Sequence, residues 1–114
     1  MKHYTSVLTI AGSDSGGGAG IQADIKTISA CGCYATTAIT AVTVQNSVGV
    51  RAVHDVPADI VRGQIEAVLE DIGADAVKTG KLKSKDIVRE VCHALRPYAH
   101  RNIVLDPAVV STRA

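Results

Sequence analysis

The chain has no tryptophan and no phenylalanine, and its three aromatic residues, Tyr4, Tyr34 and Tyr98, are all tyrosines. Stacking platforms for nucleic-acid bases are therefore not available in number. Excess charge is missing too: 12 Lys and Arg stand against 11 Asp and Glu, a net of +1. That balance gives no long-range pull toward nucleic acid or a membrane surface. No apolar run approaches the ~18 residues of a spanning helix, and Met1-Lys2-His3-Tyr4 leads into a strand rather than a signal peptide. Cysteine is limited to Cys31, Cys33 and Cys92. Cys31-Gly-Cys33 lacks C-x-x-C spacing and no second pair follows, which argues against a zinc site or a disulfide framework. The expectation is a cytoplasmic protein with reduced, mostly buried thiols. His3, His54, His93 and His100 are scattered and share no metal-ligand spacing.

What the chain does have is glycine in one place. Of ten glycines, five fall in Gly12-Ser-Asp-Ser-Gly-Gly-Gly-Ala-Gly20, which continues as Ile-Gln-Ala-Asp24. The apolar run Val7-Leu8-Thr9-Ile10-Ala11 feeds into it, and Ile21, Ile25 and Ile28 lead out at helical spacing. Strand, glycine loop, helix is the arrangement that aims backbone N–H groups and a helix N-terminus at a ligand. The glycines run together, so the loop is not G-x-G-x-x-G, and no Gly-Lys-Ser/Thr follows to make it a Walker loop. Two readings remain: a tight turn that needs only flexibility, or a loop whose polar mouth, Ser13, Asp14 and Ser15, faces a small polar ligand.

The 114 residues, 46% of them hydrophobic, suffice for one domain with a core. Strands are expected near Val7–Ala11, Tyr34–Val44, Val50–Val53, Asp75–Thr79 and Asn102–Asp106. Helices are expected from about Gly20 to Ala30, after Pro57 at the first helical position, and after Ser84 as N-cap. The second helix carries the stripe Ile60, Val61, Ile65, Val68, Leu69 and Ile72. The third carries Ile87, Val88, Val91, Cys92 and Leu95. Strand–helix alternation with Val- and Ile-rich strands argues an α/β fold, a mainly parallel sheet with helices on both faces. Ligand groups then gather at the carboxyl ends of the strands. The glycine loop, Gln45-Asn46, Thr79 to Lys81 and Asp106-Pro107 all fall there.

Three side chains at those ends could carry chemistry, each with a plain alternative. Asp24, one turn beyond Gly20, is either a solvated carboxylate favoured by the helix dipole or a ligand contact. Gln45 either caps nearby backbone or reads a ligand, since its amide donates and accepts at once. Asp106 is either a structural cap or a carboxylate that holds Mg²⁺ through water.

Ala11-Gly-Ser-Asp-Ser-Gly-Gly-Gly-Ala-Gly-Ile-Gln-Ala-Asp-Ile-Lys-Thr27, then Thr37-Ala-Ile-Thr-Ala-Val-Thr-Val-Gln-Asn46, Asp75-Ala-Val-Lys-Thr-Gly80 and Val104-Leu-Asp-Pro107 resemble the hydroxymethylpyrimidine/phosphomethylpyrimidine kinases of thiamine biosynthesis. Those enzymes belong to the ribokinase-like superfamily. The four motifs occur in family order and cover essentially the whole chain. The resemblance implies a ribokinase-like fold and ATP-dependent phosphorylation of 4-amino-5-hydroxymethyl-2-methylpyrimidine and its monophosphate, with ATP and Mg²⁺ as cofactors. It implies a homodimeric full-length enzyme whose partner is a small pyrimidine, with no nucleic acid and no membrane. It places the glycine loop at the substrate end of the site and assigns substrate contacts to Gly12, Ala19, Asp24, Val44, Gln45, Lys81 and Ala108, and the metal to Asp106.

The departures are equally specific. Lys81-Leu82 stands where the family usually has Met-Leu, and Ala108-Val109-Val110 where it reads roughly Val-Met-Val. Arg113-Ala114 stands where Ser-Gly usually follows. The family's second glycine motif, which supplies the anion hole and the group that activates the hydroxyl, is not in this sequence, so no catalytic residue is assigned within it. Residues 1–114 therefore resemble the N-terminal, substrate-side part of a single kinase domain, and activity of this chain alone is not expected. Two competing readings stay open: a pyridoxine/pyridoxal kinase of the same superfamily, and a non-catalytic, truncated binding or assembly domain.

Overall fold

A computed structural model describes residues 4–82, 84–98 and 102–105. The chain order is β1 (Ser6–Asp14), α1 (Gly20–Ala30), β2 (Tyr34–Gln45), β3 (Val50–Asp55), α2 (Ala58–Asp71), β4 (Ala76–Thr79), α3 (Lys85–Leu95), a short 3-10 turn (Arg96–Tyr98) and β5 (Asn102–Leu105). The strands form one sheet in the order β3-β2-β1-β4-β5. β1 lies in the middle, parallel to both β2 and β4, and β5 is parallel to β4. Only β3 runs antiparallel, as a hairpin edge on β2. The parallel α/β expectation holds.

The alternation of side chains across the sheet sorts the helices. Leu8 and Ile10 of β1, Ala38 of β2 and Val77 of β4 point to one face and are 1% exposed or less. There they meet Val61, Ile65 and Leu69 of α2 and Ile87, Val91, Ala94 and Leu95 of α3 in a single core. Thr9 points the other way, toward α1, where only Ile21 of the helix is buried. The core is thus one-sided.

Three expectations need correction. On α3 the buried stripe is Ile87, Val91, Ala94 and Leu95, while Val88 and Cys92 face outward. The observed spacing of four, three and one keeps one narrow face inward, and Val88 and Cys92 each lie one position off it. Cys31 is also exposed, at the C-cap of α1, so the thiols are free but not mostly buried. On α2, Ile60 and Ile72 are about half exposed, and Pro57 is the N-cap rather than the first helical residue. Ser84 does cap α3: its hydroxyl accepts from Ile87 N at 3.1 Å.

β3 pairs with β2 only from Ala41 to Gln45, which leaves Ile39 on an open edge. Gln64 of α2 closes it. Its Oε1 accepts from Ile39 N at 2.9 Å and its Nε2 donates to Ile39 O at 3.0 Å, so one side-chain amide replaces a strand partner. The opposite edge, β5, pairs only with β4, and Val104 is 60% exposed. That agrees with an exposed apolar edge at this end of the sheet; Asp106, Ala108 and the rest of 106–114 lie outside the described residues.

Candidate active site

The parallel strands bring their carboxyl ends to one side of the molecule, where a cavity of about 580 Å³ opens. The glycine loop forms one wall, the β2–β3 hairpin another, and the segment between β4 and α3 a third. Gly12, Ala19, Gln45 and Lys81 all line it. Four of the expected substrate residues, far apart in sequence, therefore share one space.

The loop's shape follows from two residues. Gly20 has φ +61, and a Cβ there would lie 2.2 Å from Gly12 O. The chain returns against its own strand so closely that only glycine fits. Asp14 organises the rest. Its Oδ1 accepts from Gly16 N at 2.8 Å, and its Oδ2 accepts from Gly18 N at 3.0 Å and Ala19 N at 2.9 Å. Its carbonyl accepts from Gly17 N at 3.0 Å. The helix N-cap, Ala19, has no capping side chain of its own. The Asp14 carboxylate does that work from the strand end, where the helix dipole favours negative charge. Gln22 holds Asp14 in turn, accepting from Asp14 N at 2.8 Å and donating to Ser13 Oγ at 2.7 Å.

Ser15 latches the loop to β2. Its hydroxyl donates to Gln45 O and accepts from Gln45 N at 2.7 Å. The Gln45 backbone is thereby fixed and its side chain faces the cavity. Thr43 Oγ1 lies 2.7 Å from Ser13 O and 3.1 Å from Gln45 Oε1. A hydroxyl has one proton, and the shorter contact takes it. With that proton on Ser13 O, the Gln45 amide satisfies Thr43 by turning its NH2 toward Thr43 Oγ1, which leaves its oxygen and its second N–H for a ligand. Lys81 is half-buried and makes no hydrogen bond or ion pair among the described residues.

Asp24 and Val44 do not line the cavity. Asp24 is placed on the α1 side of the sheet, and its carboxylate is bound by Lys78 Nζ at 2.9 and 3.1 Å and by Thr9 Oγ1 at 2.5 Å. Val44 is half exposed on the hairpin. Asp106 and Ala108 lie outside the described residues. Among the described residues no cluster of three His, Cys, Asp or Glu could hold a metal ion. The loop's amides are spent on Asp14, so it offers no cradle for ATP phosphates. The glycine loop is therefore not the place where ATP phosphates are held.

Sequence reasoning treated Asp14 and Ser15 only as a polar mouth and did not single out Thr43. One signal was present for Asp14: an Asp two residues before glycine is the pattern of a side chain that closes its own turn. The Ser15 latch joins residues 30 apart and leaves no local trace.

The model of the phosphomethylpyrimidine kinase family matches residues 14–114. The hydroxymethylpyrimidine/phosphomethylpyrimidine kinase of Bacillus subtilis (strain 168) is 50% identical over 104 residues, 91% of this chain and 38% of that protein. The crystal structure of phosphomethylpyrimidine kinase from Clostridium difficile 630 superposes with a TM-score of 0.89 at 51% identity, covering 95% of this chain and 47% of that one. A Bacillus subtilis pyridoxal kinase, solved as an ADP complex, superposes with a TM-score of 0.86 at 38% identity, covering 98% of this chain and 43% of that one. The chain spans less than half the length of each of these relatives. By sequence and by fold, the chain belongs to the phosphomethylpyrimidine kinase family, with a ribokinase-like sheet.

Proposed function

We propose that this chain forms the substrate-recognising part of a kinase that phosphorylates 4-amino-5-hydroxymethyl-2-methylpyrimidine and then its monophosphate, in thiamine biosynthesis. The observation that carries the reading is the convergence of Gln45, Gly12 and Ala19 on one cavity at the strand ends. Its volume lies in the range of small-molecule sites. An aminopyrimidine offers an exocyclic amine beside a ring nitrogen, one donor and one acceptor. The free edge of the Gln45 amide meets either. Gly12 and Ala19 bring backbone and a single methyl against the ring, which lets it approach closely.

The work assigned to this chain is binding and orientation. Holding the alcohol in one pose turns a bimolecular encounter into a positioned one. When bound, ATP supplies the phosphoryl group and Mg²⁺ offsets its charge. We assign the metal to Asp106 and a further substrate contact to Ala108. Residues 1–114 form the N-terminal part of one kinase domain in this reading, and the full-length enzyme is a homodimer. Three free thiols, two of them exposed, suit a reducing compartment, and we assign the protein to the cytoplasm.

Calorimetry on the 114-residue chain with the pyrimidine alcohol tests the reading. Saturable binding that is lost in Gln45→Ala supports it, and no binding of the alcohol or its monophosphate rejects it. The second reading is a pyridoxal kinase, favoured by the superposition on the Bacillus subtilis enzyme. Tighter binding of pyridoxal than of the pyrimidine in the same calorimeter would establish it instead.

A further inference from the structure

We propose that Asp14 is a specificity-determining residue: its carboxylate fills the N–H cradle of the glycine loop, closes that cradle to phosphate, and leaves the loop as a surface for an uncharged group. Successive backbone N–H groups at a helix N-terminus ordinarily form an anion site. This loop has the sequence for one, with four glycines from Gly16 to Gly20. Yet every N–H from Gly16 to Ala19 is already donated to Asp14, three to its carboxylate and one to its carbonyl. Asp14 is only 6% exposed, so its carboxylate is an internal anion and not a surface charge.

The cation on the outer side of the loop is committed as well. Lys26 Nζ donates to Gly17 O at 2.9 Å and holds the loop from outside. A phosphate that came to this wall would meet a fixed like charge, with the N–H groups of Gly16 to Ala19 already donated, at a cost that a low-dielectric site amplifies. An uncharged ring meets no such penalty. The nature of that ring rests on the function proposed above; what the loop refuses does not.

The test uses the isotopically labelled 114-residue chain and inorganic phosphate. Titration of the wild type is expected to leave the amide signals of Gly16, Gly18 and Ala19 without a saturable shift. In Asp14→Ala the same three signals are expected to shift saturably, because the donors are freed and the repulsion is gone. Asp14→Asn keeps the volume, removes the charge, and is expected to bind phosphate more weakly than Asp14→Ala. Amide exchange at Gly18 and Ala19 is expected to speed up roughly 10- to 100-fold in Asp14→Ala, the loss of a charge-assisted hydrogen bond. Saturable phosphate binding by the wild-type loop overturns the proposal, as does its absence in both folded variants. If neither variant folds, the wild type decides: exchange at Gly18 and Ala19 as fast as in an open loop overturns it, and slowed exchange supports it. Failure to bind pyrimidine would remove the functional reading and leave this result standing, and the converse also holds.

Discussion

The ammonium of Lys78 on β4 sits 2.9 Å from Oδ2 and 3.1 Å from Oδ1 of Asp24 on α1, and the fully buried hydroxyl of Thr9 on β1 donates to the same carboxylate. One side chain thus ties a helix to two strands on the face of the sheet that has little apolar packing. Lys78 is 35% exposed and Asp24 18%, so solvent screens part of the attraction. Asp24→Ala is expected to cost roughly 1–2 kcal/mol, from a weakened pair and a buried hydroxyl left without its acceptor. Denaturant unfolding of Asp24→Ala, Lys78→Ala and the double variant measures the coupling. Asp24→Asn keeps an acceptor for Thr9 and separates the roles. A large fall in pyrimidine affinity with unchanged stability would show that Asp24 reaches the ligand after all.

Glycine substitutions should fall in an order set by space. Gly20→Ala places a Cβ 2.2 Å from Gly12 O at φ +61, and about 3 kcal/mol or more of destabilisation is expected. Gly80→Ala places one 2.8 Å from Ala11 Cβ, where β4 ends against β1, and roughly 1–3 kcal/mol is expected. Gly63 lies inside α2, where an added methyl would meet nothing within 4 Å, so Gly63→Ala should stabilise by about 0.5–1 kcal/mol. Chemical denaturation of the three variants checks the order, and a stable Gly20→Ala would contradict the close return of the loop.

Gln45→Ala is expected to weaken pyrimidine binding by roughly 1–3 kcal/mol, because a polar group of the ligand loses its partner in the cavity. Stability should hardly change, since among the described residues the side chain's one hydrogen-bond partner is Thr43. Ser15→Ala removes both latch bonds and should lower stability and affinity together. Calorimetry beside thermal unfolding separates the two. Equal losses of stability and affinity in Gln45→Ala would make Gln45 structural.

The strands and helices were legible because period and punctuation agree: the apolar run Val7-Leu8-Thr9-Ile10-Ala11 in β1, a 3.6-residue stripe in α2, and Ser84 before α3. Membership of the cavity was legible for Gly12, Ala19, Gln45 and Lys81 because strand ends in a parallel sheet converge. Less legible were features fixed by distant partners. Nothing local announces that Gln64 would close the edge at Ile39, or that Lys78 would claim Asp24 across 54 positions. The outward turn of Val88 and Cys92 was hidden for a different reason. An apolar residue next to a stripe looks the same in sequence whether or not a neighbour covers it.

Lys81 is where this chain departs most clearly from the family pattern, in which Met-Leu usually follows the glycine. Leu82 packs against the core, whereas Lys81, just beyond Gly80, faces the cavity half-buried and unpaired among the described residues. An uncharged pyrimidine gains little from an ammonium, and bringing the ring against it strips water from the charge. A thioether in the same place offers polarisable contact without that cost. Lys81→Met is therefore expected to tighten binding of the pyrimidine alcohol, by about three- to tenfold for the apolar area gained. The monophosphate is the control, because its charge is the one part of the substrate that an ammonium would favour. Calorimetry of both ligands with both proteins gives the answer. If Lys81→Met weakens the monophosphate and leaves the alcohol unchanged, Lys81 is a substrate contact in its own right, and this chain is tuned to the second phosphorylation rather than the first.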